Sequence, residues 1–275
     1  MMEGANPTVL AGWSMAALLF GLALPASFGG GLRRGAHLMM AGMTVIGAVT
    51  LYSHDVMSMP QIFAALIMGG AVGLVLGRGM PRAAIPALLI GLIGQTGLAA
   101  MFVGVAAWRN PRAFGLLDEM TDQWFADDAA AIGVGVALGA MACAGAAAIL
   151  WCRMGRRGKG RPGAPFFTGA MLAGTCGAVL AFVASPTTDR LLPLAGVALL
   201  AGWGLAKWTM GARMGPAAAL VGGLSGWAVA VLAYLLENIG MAVAGGLAGA
   251  AGGLFALRLC GGADRKGLAE GGARP

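Results

Sequence analysis

The sequence predicts an all-α fold: a polytopic membrane protein built as a bundle of about nine transmembrane helices. Three observations carry this. Hydrophobic residues fill 59% of the 275 positions and charged residues only 11%, whereas about 25% of an ordinary soluble domain is charged, so the chain cannot cover itself with polar surface. The apolar residues fall in runs close to the ~20 residues that a helix needs to cross a bilayer. The basic residues collect in every second connection between those runs.

In chain order the spans fall at 9–27, 37–51, 61–77, 84–108, 129–151, 166–185, 191–208, 216–236 and 239–259. The second is short for a bilayer of ~30 Å and can borrow residues near Arg34 or Tyr52. The last two are the plainest: two apolar segments flank the short polar break Glu237-Asn238, the pattern of a transmembrane hairpin. Residues 1–260 thus form one transmembrane domain, with 261–275 as a short cytoplasmic tail. The longest polar stretches, 109–128 and that tail, are too short to fold as domains of their own.

Charge sets the orientation. With the N-terminus outside, 15 of the 18 Lys and Arg residues lie inside and only Arg109, Arg112 and Arg190 outside, while 9 of the 11 acids lie outside. Basic inner loops are the topological signal, which predicts a cytoplasmic C-terminus in a bacterial inner membrane. The same rule accounts for the net charge of +7 without nucleic acid as a partner. Trp108, Trp151 and Trp208 sit at span ends, at headgroup level. Trp203 and Trp227 lie deeper and are expected against neighbouring helices or lipid.

Small residues four apart share a helix face and let helices approach closely in lipid. Gly69, Gly73 and Gly77 do so in the third span, Gly135 and Gly139 in the fifth, Gly222 and Gly226 in the eighth, and Gly245, Gly249 and Gly253 in the ninth. These are helix-packing candidates. No span carries a mid-membrane charge; Lys207 and Arg258 are near enough to an end to snorkel. The mid-span polar residues are Thr44, Gln95, Thr96, Thr175 and Ser225. Of these Gln95 and Ser225, central in their spans, are the candidate intramembrane polar sites, since a buried amide needs a partner. Hydroxyls usually bond the carbonyl a turn back. The four cysteines have no ligand spacing, so no metal is expected, and no phosphate-binding or zinc-protease motif occurs.

Several motifs, in order along the chain, resemble one family. Arg33-Arg34-Gly35 with Met40-Ala41-Gly42-Met43, Gly69-Gly70-Ala71-Val72-Gly73, Met80-Pro81 with Ile85-Pro86, Gly97-Leu98-Ala99-Ala100, Asn110-Pro111 and Ser225-Gly226-Trp227-Ala228 are similar to the membrane domain of the beta subunit of proton-translocating NAD(P) transhydrogenase. The resemblance implies nine spans and a role in coupling hydride transfer to proton flow. It also implies positions for polar groups, and here the sequence departs. The family's fourth-span histidine, tied to proton movement, falls at Ile93; Gln95 is about 200° further round the helix. Its aspartate before the eighth span falls at Arg213 and its asparagine in that span at Gly222. Paired serines become Ala250 and Ala251; other hydroxyls become Ala142, Ala144 and Ala146; a glutamate becomes Ala131.

The family's subunit continues into a soluble NADP(H)-binding domain, whereas this sequence ends at Pro275. The chain is therefore expected to hold no cofactor, with NADP bound by a separate chain if at all, and to be a degenerate member without catalysis of its own. Its partners are then the lipid bilayer and other membrane subunits, transhydrogenase-like chains or a second copy in a homodimer. A scaffold packing against another membrane complex and a transporter of protons or a small solute are the alternatives.

Overall fold

The computed structural model of the chain describes residues 7–28, 32–53, 59–79, 81, 84–117, 125–153, 164–210 and 214–271. Among them are nine α-helices: α1 (Pro7–Phe28), α2 (Leu32–Ser53), α3 (Met59–Gly79), α4 (Ile85–Arg109), α5 (Ala126–Arg153), α6 (Ala164–Ala184), α7 (Thr188–Met210), α8 (Met214–Leu235) and α9 (Ile239–Gly271). A short 3-10 turn, Pro111–Phe114, follows α4. Each expected span occupies one helix, with ends that agree to within three residues in all but the second and ninth. The short second span lengthens in both directions to 22 residues. The ninth runs on past residue 260 to Gly271. Six helices, α4 to α9, are long and apolar enough to cross a membrane among the described residues. Large apolar side chains stand on their outer faces: Leu180 and Leu192 are 70% exposed and Phe166 84%. Apolar surface on that scale belongs in lipid, and the protein is a multi-pass membrane protein.

The helices divide into two compact units, residues 1–86 and 87–275. In the first, α1 buries Val9, Trp13, Ala16, Phe20 and Ala23. Their spacing alternates four and three residues, the 3.5-residue repeat of a left-handed helix pair. Against that seam α2 brings Gly42, where a methyl would lie 3.2 Å from the Phe20 ring, and the Val49 side chain packs onto Gly12. The indole Nε1 of Trp13 is buried with no hydrogen-bond partner among the described residues.

The second unit is organised around α5. Nearly every residue from Ala129 to Ile149 is buried or half-buried, on all sides of the helix, and that is possible because most are Gly or Ala. Four helices use the space. On the α4 side a methyl at Gly97 would stand 2.7 Å from the Gly139 carbonyl oxygen. On the α6 side the fully buried Phe182 packs on Gly133. On α7, Gly202 meets the Met141 carbonyl, and on α8, Leu232 fills the notch at Gly135 and Val221 that at Gly145. With no hydrophobic drive between helices in lipid, such close backbone contact supplies the van der Waals and Cα–H···O attraction that holds them.

The closing hairpin repeats the device. Gly223, Gly226 and Ala230 of α8 face Gly245, Gly249 and Gly252 of α9. A methyl at Gly245 would lie 2.5 Å from the Ala230 nitrogen, and one at Gly226 would collide with the Gly249 nitrogen. The four-residue spacing 245, 249, 253 does not continue: Gly253 has open space beside it, and Gly252 makes the third contact. A straight four-residue row drifts off a supercoiled seam, whose period is 3.5.

The turn between α8 and α9 is tight and fully bonded. The Glu237 N–H donates to the Tyr234 carbonyl (3.2 Å) and the Asn238 N–H to the Ala233 carbonyl (3.0 Å), the paired bonds of a Schellman cap. Glu237 holds the left-handed conformation that this cap needs, φ 47°. Asn238 then starts α9, its Oδ1 accepting from the Met241 N–H at 3.0 Å, an N-cap.

Two predictions follow the packing. Gly226→Ala lowers the thermal unfolding midpoint by the equivalent of about 1–3 kcal/mol through overpacking, while Gly253→Ala leaves it unchanged or raises it slightly, since Ala is the better helix former. In the turn, Glu237→Gly stabilises by about 1 kcal/mol by removing the left-handed strain of a side-chain-bearing residue, and Asn238→Ala costs about 1 kcal/mol of capping. Unfolding in detergent followed by circular dichroism reads both pairs.

Candidate functional site

Four helices meet in the half of the second unit towards the C-terminal end of α5. α4 presents the face Ile90, Ile93, Gly94 and Gly97; its buried positions recur as Ile90, Gly94, Gly97, Ala100, Gly104 and Ala107. α5 presents Ala142, Gly145 and Ala146, α7 presents Ala206, and α8 presents Val221, Gly222 and Ser225. A methyl at Gly94 would lie 2.8 Å from the Ala146 Cβ, and one at Gly97 2.8 Å from the Ala142 Cβ. The Ile93 side chain crosses to α8, its Cδ1 3.7 Å from where a Cβ on Gly222 would stand.

Ile93 and Gly222 are therefore neighbours. The resemblance aligns a histidine with the first and an asparagine with the second, so the fold brings those two positions face to face. Here an aliphatic side chain lies over a bare backbone. The hydroxyl positions Ala142, Ala144 and Ala146 are buried among apolar neighbours, as is Ala131. Val221, Ile149 and Ile90 close the junction. Among the described residues packed in this junction none is Asp, Glu, His, Lys or Arg.

Ser225 lies three residues beyond Gly222 on α8. It is buried, and its hydroxyl donates to the Gly222 carbonyl at 2.9 Å, one turn back in its own helix. Its proton is thus committed to the backbone. Gln95 goes elsewhere. It is exposed, two positions beyond Ile93 on the far side of α4 from Gly94 and Gly97, and faces the surroundings of the helix. The structure does not bring Gln95 and Ser225 together. Thr96, Thr175 and Thr44 likewise spend their hydroxyls on carbonyls four residues back, those of Leu92, Met171 and Met40 at 3.0, 2.8 and 2.9 Å.

The packing glycines divide by neighbour. Gly135 and Gly139 of α5 serve α8 and α4, Gly226, Gly245 and Gly249 serve the closing hairpin, and Gly222 serves the junction with Ile93. Gly69 and Gly73 of α3 have open space beside them. The surroundings of Gly77, together with His54, Arg213 and the side chain of Cys260, lie outside the described residues. Among the described residues no cluster could hold a metal ion.

Two interhelical side-chain groups escaped the sequence reading. At the end of α4, Trp108 donates from Nε1 to the Thr188 Oγ1 (3.2 Å) and stacks edge-on against Phe182, ring centroids 5.4 Å apart. Beside it Arg190 donates to the Ala181 carbonyl at 2.5 Å, so α4, α6 and α7 are tied at one end. Towards the opposite end, Trp151 and Trp203 stack edge-on at 6.5 Å. Tryptophans at span ends were the visible signal, but their partners come from other helices and no local pattern names them.

A double-mutant cycle tests the central contact. Gly222→Asn places a larger polar side chain against Ile93 and destabilises the protein by about 1–3 kcal/mol. Ile93→Ala alone costs about the same. Together they cost less than their sum, because the second makes room for the first. Additivity of the two unfolding free energies would show that the residues do not touch.

The model of the NAD(P) transhydrogenase beta subunit family matches residues 9–269. Two curated relatives named NAD(P) transhydrogenase subunit beta, both from Rhodospirillum rubrum and one assigned to a specific strain, are each 28% identical over 261 residues. The match covers 94% of this chain and 55% of each relative, so the chain spans about half the length of the curated relatives it matches.

Proposed function

The chain belongs to the NAD(P) transhydrogenase beta subunit family, and from that membership we propose that it is a membrane subunit of a transhydrogenase-type assembly whose own transmembrane core is closed to protons. The observation that carries this is the seating of Ile93 on Gly222. Moving a proton through a membrane interior needs titratable or hydrogen-bonding groups at close intervals, with water to join them. At the junction of α4, α5, α7 and α8 the buried side chains are Ile, Val, Ala and Met, and the buried hydroxyl of Ser225 is bonded to its own helix. A void lined this way stays dry.

In this reading the chain contributes no step of hydride transfer. NADP is held by a separate chain if it is held at all, and proton translocation, where the assembly performs it, runs through other subunits. The chain sits in a bacterial inner membrane with its N-terminus outside and its C-terminus in the cytoplasm, the arrangement that the distribution of basic residues favours.

One observation favours a second reading, a scaffold for a different membrane complex. Every described side-chain position of α3 is exposed, from Ile67 and Met68 through Val72 to Val75. A helix with a glycine-bearing face and no neighbour on it among the described residues is suited to helix–helix contact. A transporter is disfavoured by the same apolar junction that closes the proton route.

Proteoliposomes loaded with a pH-sensitive dye separate these readings. Under an imposed pH gradient the reconstituted chain is expected to pass protons no faster than protein-free liposomes. Flux above that background, reduced by Ser225→Ala or Gln95→Leu, would contradict closure. Purification from native membranes then decides between partners: transhydrogenase-like chains support the first reading, and an unrelated membrane complex the second.

A further inference from the structure

We propose that the lipid-facing side of α7, near its C-terminal end, is a seat for one anionic phospholipid. Lys207 follows Trp203 by one helical turn. Side chains on a helix lean towards its N-terminus, and the Lys207 ammonium accordingly lies over the Trp203 ring, 5.5 Å from its centroid. It is thereby held back along α7, away from the water beyond the end of the helix. The side chain is exposed, and among the described residues no carboxylate pairs with it. A cation at that depth on a lipid-facing surface is best matched by an anion that the lipid itself supplies.

The neighbourhood has the form of a phospholipid. Trp151, 40% exposed at the end of α5, stands edge-on to Trp203, and indoles favour the boundary between headgroups and chains. From Trp203 the same face of α7 continues at spacings of three and four residues through Leu199, Gly196 and Leu192, all exposed. Gly196 has no atom within 4 Å of where a methyl would stand, so an acyl chain can lie along a shallow track below the cation. A partner helix would need an acid of its own to cover Lys207; an anionic phospholipid brings the phosphate and the chain together. In sequence, the connections that leave α5 and α7 at this end hold Arg156, Arg157, Lys159, Arg161 and Arg213 with no acid, which draws anionic lipid to this leaflet.

The test titrates the purified chain, in neutral detergent, with phosphatidylglycerol, phosphatidylcholine or inorganic phosphate, and reads thermal unfolding alongside native mass spectrometry. Phosphatidylglycerol is expected to raise the unfolding midpoint and to remain bound, while phosphatidylcholine and inorganic phosphate do neither. Lys207→Gln weakens phosphatidylglycerol binding on the order of tenfold, the loss of one charge-assisted contact. Lys207→Arg keeps it, and Arg109→Gln at the opposite end of the helices leaves it unchanged. Equal stabilisation by phosphatidylcholine, or equal binding in Lys207→Gln and the wild-type chain, overturns the proposal. So does a co-purifying protein that shields Lys207 from amine modification.

Discussion

The second unit depends on the absence of side chains along α5. A helix buried on all sides in a membrane protein must let four neighbours approach, and in lipid their attraction is short-ranged. Gly133, Gly135, Gly139 and Gly145 admit Phe182, Leu232, the α4 backbone and Val221 in turn. Large residues on the neighbours fill small residues on α5, so knobs and notches alternate. The bonded turn at Glu237 and Asn238 sets the angle at which α8 enters this arrangement and α9 leaves it.

The same economy of side chains explains the character of the junction near Ile93. Close packing and a wet polar path compete for the same volume. Hydroxyl and carboxyl groups inside a bundle need partners or water, and both push helices apart. Replacing them with alanine lets α4 settle on α5 until Gly97 and Gly139 exchange near-contact distances with each other's carbonyl oxygens. Where the resemblance implies polar groups, Ile93, Gly222, Ala142 and Ala146 here make apolar contact.

Much of this was legible in the sequence. Apolar length gave all nine helices, and the glycines of α5, α8 and α9 pointed to close packing. Phase was harder to read. The contact set on α9 is Gly245, Gly249 and Gly252, since paired helices follow a 3.5-residue seam where a four-residue count leads to Gly253. Gln95 drew notice as a mid-span amide, yet the row Gly94, Gly97, Gly104 on the opposite face marks the packed side of α4 and leaves Gln95 towards lipid. The meeting of Ile93 with Gly222 joins residues far apart in sequence, and only the tertiary arrangement displays it. Lys207 read as a snorkelling cation; its return over Trp203 follows from the lean of helical side chains.

In the proposed reading the core around α5 is dry. Hydrogen–deuterium exchange of backbone amides, measured residue by residue with the protein in lipid nanodiscs, tests this most directly. The amides of residues 139–146 on α5, and those of 93–97 and 221–225 facing them, are expected to stay protected for hours while those at the helix ends exchange. Exchange of these central amides within minutes would place water along α4, α5 and α8, and would contradict a closed core.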